Sequence, residues 1–170
     1  MSWSKTLRRT AVIGLALGLG PVLGACSFTP VYSGALASQP DLNLAYGKPN
    51  SRLEQVVYQE LALRFGPSSE AETAPLATVS VGSSAADMTM AATANPSKPM
   101  EVTVTATLTI ARRDGSTTPP MTFTRKATAN YTRSGQVLAD NTAAAEASER
   151  AAKVAAESLR LAVLAALSRG

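Results

Sequence analysis

From Glu101 to Arg113 the chain reads EVTVTATLTIARR, where Val102, Val104, Ala106, Leu108 and Ile110 alternate strictly with Thr103, Thr105, Thr107 and Thr109. Successive side chains of a strand point to opposite sides. A period of two with one apolar and one threonine register therefore describes a strand buried on one face and wet or partner-facing on the other. Asp114-Gly115 marks a turn after it, within the longer loop RRDGSTTPP. MTFTRKATANYTR at 121–133 resumes the alternation through Met121, Phe123, Ala127, Ala129 and Tyr131. These two strands are expected to pair antiparallel.

The remaining segments supply what such a sheet must pack against. DLNLAY at 41–46 reads as a short strand, and LATVSVG at 76–82 as another. Between them, Asn50 or Ser51 can cap a helix, and Glu54 three residues after Ser51 has the spacing of a capping box. Leu53, Val57, Leu61 and Phe65 form one i, i+4 row, and Gly66-Pro67 ends it. SSAADMTMAATANPSKP, residues 83–99, carries few large apolar side chains and reads as a mobile loop or an extended hairpin arm. The last helix is expected from about Asp140-Asn141 to Ser168, with Glu146–Arg150 and Glu149–Lys153 as i, i+4 pairs. One of its faces holds Ala152, Ala155, Ala156, Leu159, Val163, Ala166 and Leu167, and alanine allows close approach to a sheet. Val154, Leu161 and Ala165 widen that arc, which favours contact with the first helix over a partner surface.

The order β-α-β-β-β-α specifies an α+β fold: a four-stranded, mainly antiparallel sheet with two helices packed on one face. One domain is expected over residues 41–170, preceded by a tether at 26–40 that is rich in small residues and proline.

Ahead of this stands the one cysteine, Cys26, in a chain with no histidine. MSWSKTLRR carries Lys5, Arg8 and Arg9 and no acid, and the uncharged TAVIGLALGLGPVLGA follows. That is the layout of an export signal. The apolar run contains Gly14, Gly18, Gly20 and Pro21 and is shorter than the roughly 20 residues a spanning helix needs, so a removed signal peptide over 1–25 is the better reading. Leu23-Gly24-Ala25-Cys26 resembles a bacterial lipobox, in which the cysteine sulfur receives a diacylglycerol and the new amine is usually acylated after cleavage. Lipidation also accounts for an odd cysteine in an exported chain. Two or three acyl chains at about 0.8 kcal/mol per buried CH₂ would hold the protein on a membrane. Ser27, rather than aspartate, follows Cys26, and by resemblance to Gram-negative lipoproteins this favours the outer membrane, lipid-anchored on its periplasmic side.

Composition narrows the function. Loss of residues 1–25 removes three of 16 basic and none of 12 acidic residues, which leaves a mature chain of 145 residues close to neutral. The isoelectric point of 9.5 belongs largely to the signal. No basic field remains to offset phosphates, so no nucleic-acid partner is expected. Without histidine, and with its thiol acylated, the chain cannot build Ser-His-Asp or Cys-His catalysis, nor a zinc site of the usual nitrogen and sulfur kind. A carboxylate pair such as Asp87 and Glu101 is conceivable chemistry, but no spacing supports it. No catalytic residue, metal or cofactor is expected.

The element order, CSFTPVY after the cut, and the stretch from VTVTATLTI to the C-terminal alanine-rich helix together resemble the lipopolysaccharide-assembly outer-membrane lipoproteins, the LptE-like family. Members typically begin the mature chain Cys-Gly-Phe-x-Pro-Leu-Tyr. This chain has Ser27 for the glycine and Val31 for the leucine. The resemblance implies a non-enzymatic subunit that helps assemble, and plugs, a large β-barrel lipopolysaccharide translocon (LptD-like), and that contacts lipopolysaccharide. Lipid A phosphates need cationic donors. Basic residues gather at the expected tips of the sheet, with Lys98 leading into the third strand and Arg112-Arg113 leaving it. The family's basic position before the Asp-Asn of the last helix is occupied here by Ala139. The alternative is an accessory periplasmic lipoprotein of an ABC-type lipid-transport system.

Overall fold

A computed structural model describes residues 42–89 and 97–168. The expected signal peptide and tether, with Cys26 and Asp41, lie outside the described residues. In chain order the elements are β1 (Ala45–Tyr46), α1 (Arg52–Phe65), β2 (Leu76–Asp87), β3 (Lys98–Ala111), β4 (Met121–Arg133) and α2 (Val137–Leu167). The sheet order is β1-β2-β3-β4, with β1 parallel to β2 and the other two pairings antiparallel. The α+β class and the β-α-β-β-β-α order are therefore as the sequence pattern requires.

β3 is the axis of the core. Met100, Val102, Val104, Ala106, Leu108 and Ile110 are all buried, whereas the threonines between them are partly exposed. The helices cover the buried side. Along α2, Ala147, Ala151, Ala152, Ala155 and Ala156 are at most 1% exposed, and this alanine ridge lets the helix approach the sheet, with Leu159 and Val163 buried beyond it. α1 contributes Val57, Leu61 and Phe65 from the expected row, while Leu53 is only partly buried.

Local chemistry sets the ends of α1. Ser51 is extended and its side chain accepts from Glu54 N at 3.2 Å, while Glu54 Oε2 accepts from Asn50 N at 2.6 Å. Gly66, at φ 94°, closes the helix by donating to Ala62 O at 3.1 Å. Tyr58 then ties α1 to the sheet, because its hydroxyl accepts from Val79 N at 2.8 Å inside the core.

Four expectations are revised. β1 has only two residues, because Leu44 N folds back onto Leu42 O and Ser69 N takes Leu44 O, so Leu44 is turned away from the ladder. β2 runs to Asp87 rather than ending at Gly82: Ser83 to Asp87 pair with Met100 to Val104, so of the two readings of 83–99 the described part adopts the extended hairpin arm. α2 begins at Val137, ahead of Asp140-Asn141. Gly135 makes the preceding turn at φ 87°, and Asp140 fastens it by accepting from Ser134 N, Ser134 Oγ and Gly135 N. These bonds, that of Ser134 N first, hold the Asp140 carboxyl below its usual range. Finally, Val154 and Leu161 do not meet α1. They are 56% and 51% exposed, since α1 lies along the other flank of α2, where Arg52 Nε pairs with Glu149 Oε1 at 2.9 Å. Arg150 turns to β4 and donates to Asn130 O at 3.0 Å.

Candidate functional site

The side of the sheet opposite the helices carries the threonine register of β3. The pairing registers extend it across three strands: Thr78, Ser80, Gly82 and Ser84 on β2, and Thr122, Thr124, Lys126, Thr128, Asn130 and Thr132 on β4 share this face with Thr103 to Thr109. The hydroxyls are partly locked to one another. Thr107 and Thr124 share a hydrogen bond at 3.0 Å, Thr109 and Thr122 one at 3.4 Å, and Thr78 donates to Thr109 O at 3.4 Å. With strands about 4.8 Å apart and same-face residues about 6.8 Å apart along each strand, this is a regular hydroxyl lattice. Glu101 and Lys126 are the charges on it among the described residues. Such a face is suited to a polar, hydrated surface: each hydroxyl can donate and accept, and the large apolar side chain in its register, Leu76, stands at the end of β2 and is partly buried.

The arm end of the sheet has different chemistry. Lys98 lies directly across from Arg133 in the β3–β4 register. Asp87 is close to both cations, and its carboxyl sits below its usual range, chiefly because Thr89 N and Thr89 Oγ1 each donate to it at 2.9 Å. Around this end stand three large apolar side chains left in solvent: Met88, and Val137 and Leu138, the last 82% exposed. Cations beside exposed apolar side chains match an amphiphile that has an anionic head and acyl chains.

The structure does not bring the basic candidates together. Lys98 and Arg112 lie at opposite ends of β3, on the order of 45 Å apart for an extended strand of this length. They cannot hold one headgroup. Arg113 is engaged as a clamp on the loop before β2, donating from Nε to Ala74 O at 2.7 Å and from Nη2 to Ala71 O at 3.4 Å. Arg112 Nη1 is 3.8 Å from Asp114 Oδ2. Arg133 is the residue that reading along the chain missed. A β3–β4 hairpin centred on Gly115 and Ser116 would have placed it opposite Lys98.

The carboxylate pair is likewise separated. Asp87 has the helix-side register of Met100, whereas Glu101 stands on the threonine face. Among the described residues, no three His, Cys, Asp or Glu side chains come together in a group that could hold a metal ion, and no helix is long and apolar enough to cross a membrane. A groove of about 570 Å³ runs between α1 and α2, lined by Val56, Leu63, Arg52, Gln59, Glu149 and Lys153. The Arg52–Glu149 pair belongs to its rim and draws the Glu149 carboxyl down.

No protein-family model matches the chain, and no curated protein matches its sequence. Solved structures do resemble its fold. The rare lipoprotein B from Shewanella oneidensis superposes with a TM-score of 0.55 at 13% identity, over 75% of this chain and 96% of that one. A protein described as a lipoprotein from Caulobacter crescentus gives 0.48 at 19% identity, over 74% of this chain and 90% of that one. A minor lipoprotein from Acinetobacter baumannii gives 0.46 at 17% identity, over 68% and 84%. The Shewanella structure establishes a shared fold: a sheet of this topology with two helices on one side is an arrangement that a solved lipoprotein adopts.

Proposed function

We propose that this chain is an outer-membrane lipoprotein, anchored through acyl groups on Cys26 on the periplasmic side, which acts without catalysis as the assembly partner and plug of a β-barrel that inserts lipopolysaccharide. The observation that carries this reading is the asymmetry of the sheet. One face is covered along β3 by the helices, and the other is a broad hydroxyl lattice with no covering element among the described residues. The lumen of a large outer-membrane barrel is polar and water-filled. A hydroxyl face can exchange hydrogen bonds with such a wall at little desolvation cost, whereas an apolar face could not. The lipobox supports an envelope location, and the fold is one that a lipoprotein of Shewanella shares. Within this reading the arm end meets lipopolysaccharide: Lys98 and Arg133 take phosphate, and Met88, Val137 and Leu138 lie against acyl chains.

The test is purification of the tagged full chain from detergent-solubilised membranes. A stoichiometric large β-barrel is expected, recovered from the outer-membrane fraction, and Cys26→Ala should abolish labelling by a fatty-acid analogue. Recovery with an inner-membrane ATPase complex would instead establish the accessory lipid-transport role. Recovery with neither would remove the translocon reading.

A further inference from the structure

We propose that the free edge of β2 from Val81 to Asp87 is a self-pairing surface, at which a second copy of this chain adds its own β2 antiparallel. The inference rests on the two sheet edges and is independent of the barrel reading.

Which backbone groups of β2 face outward is fixed by two hydrogen bonds. Gly47 N donates to Ala77 O at 2.9 Å, and Val79 N donates to Tyr58 Oη at 2.8 Å. The odd-numbered residues of β2 therefore turn their N–H and C=O away from β3, and the unbroken β2–β3 register carries this alternation on to Val81, Ser83, Ala85 and Asp87. β1 occupies the edge at Leu76–Ala77 and Tyr58 occupies it at Val79. Beyond that point, no described residue takes the outward groups.

The opposite edge is treated differently. On β4, the outward carbonyl of Thr124 accepts from Arg125 Nη1 at 2.8 Å and that of Asn130 from Arg150 Nη2 at 3.0 Å. Arg125, Lys126 and Arg133 add like charges along that strand. Native sheets blunt exposed edges with such cations, because a bare edge is a template for another strand. β2 has none from Val81 to Asp87. Its one charge, Asp87, is already engaged by Thr89 and lies near Lys98 and Arg133 of its own chain.

A second copy is the occupant this edge fits. In a two-fold pairing centred on Ser84, Val81 meets Asp87 and Ser83 meets Ala85, so every outward N–H reaches an outward carbonyl. No like charges face each other, and the apposed side chains are small. Apart from Asp87, which its own chain engages, the edge carries no charge that would select a foreign sequence, and complementarity of length and backbone register favours a second copy. One strand pair falls well short of the roughly 800 Å² per partner of a stable interface, so the dimer is weak and depends on local concentration.

In this register Ser84 faces its copy in a non-hydrogen-bonded pair, where Cβ atoms come close enough for a disulfide. The full chain carrying Ser84→Cys should form a disulfide dimer in its native membrane under mild oxidation. The parent chain, which controls for Cys26, and Thr128→Cys on the guarded edge should not. Ala85→Pro removes an N–H that points outward, so it breaks no bond within the sheet, and its addition to Ser84→Cys should abolish the dimer. Ser83→Lys, which adds a charge at the edge and leaves the backbone intact, should do the same. Absence of the dimer from the Ser84→Cys chain, its persistence in both edge variants, or a disulfide from the introduced thiol to a different protein would overturn the proposal.

Discussion

The two faces of the sheet are made from the same strands and from residues one position apart. On β3, Leu108 is fully buried in the core cluster, while its neighbour Thr107 shares a hydroxyl bond with Thr124 in contact with solvent. The helix face is specified by volume, since alanines on α2 stand over aliphatic side chains on β3. The threonine face is specified by hydrogen-bonding capacity. Folding requires only the first, so the second is free to serve a partner.

Truncation of neighbouring residues on β3 should separate the two faces most strongly. Leu108→Ala should lower stability by about 2–5 kcal/mol, because it removes buried methyl groups and leaves a cavity in the core. Thr107→Ala should cost well under about 1 kcal/mol, since water can take the lost bond. Equal costs in urea unfolding would mean that both faces are covered.

A hydroxyl comparison comes next in size. Tyr58→Phe leaves the buried Val79 N–H without its acceptor and should cost about 1–3 kcal/mol. Thr124→Val deletes a hydroxyl on the open face and should be nearly neutral by the same measurement.

The smallest effect is alkaline. Burial pushes the Tyr46 hydroxyl up to about 12, and burial likewise raises that of Tyr58. An unfolded tyrosine ionises near about 10. Above that pH the unfolded chain releases a proton that the folded chain keeps. The tyrosines' contribution is therefore complete below about pH 10 and is lost as pH rises through the folded values. Chemical denaturation at pH 9 and pH 11 should show the loss, and Tyr46→Phe should reduce it.

Much of this fold was legible in the sequence, and where it was not, pairing had overridden local preference. The alternation in β3 and β4, the Ser51–Glu54 cap and Gly66 are local signals, and each fell where the pattern put it. β2 beyond Gly82 is Ser-Ser-Ala-Ala-Asp, a run with little intrinsic strand preference, and it is held extended by β3. α2 starts early because the Asp140 side chain secures the turn at Ser134-Gly135 instead of capping the helix. Val154 and Leu161 share a helix with the core alanines, and only the placement of α1 decides that they stay exposed. Of the candidate site, Lys98 was visible as a charge at a strand end. Its companion Arg133 is 35 positions away and becomes a neighbour only through the β3–β4 register.

We propose the threonine face as the surface a partner covers in the membrane. A cysteine in place of Thr107 reports on it directly, with the parent chain as the control for Cys26. In the purified, folded protein, Thr107→Cys should react readily with a hydrophilic maleimide. In intact outer membranes it should be protected, and Val154→Cys, exposed on the far side of α2, serves as the reference. Equal reactivity of the Thr107→Cys thiol in the two settings would show that the face remains open to water in the cell, and would contradict its assignment as the partner surface.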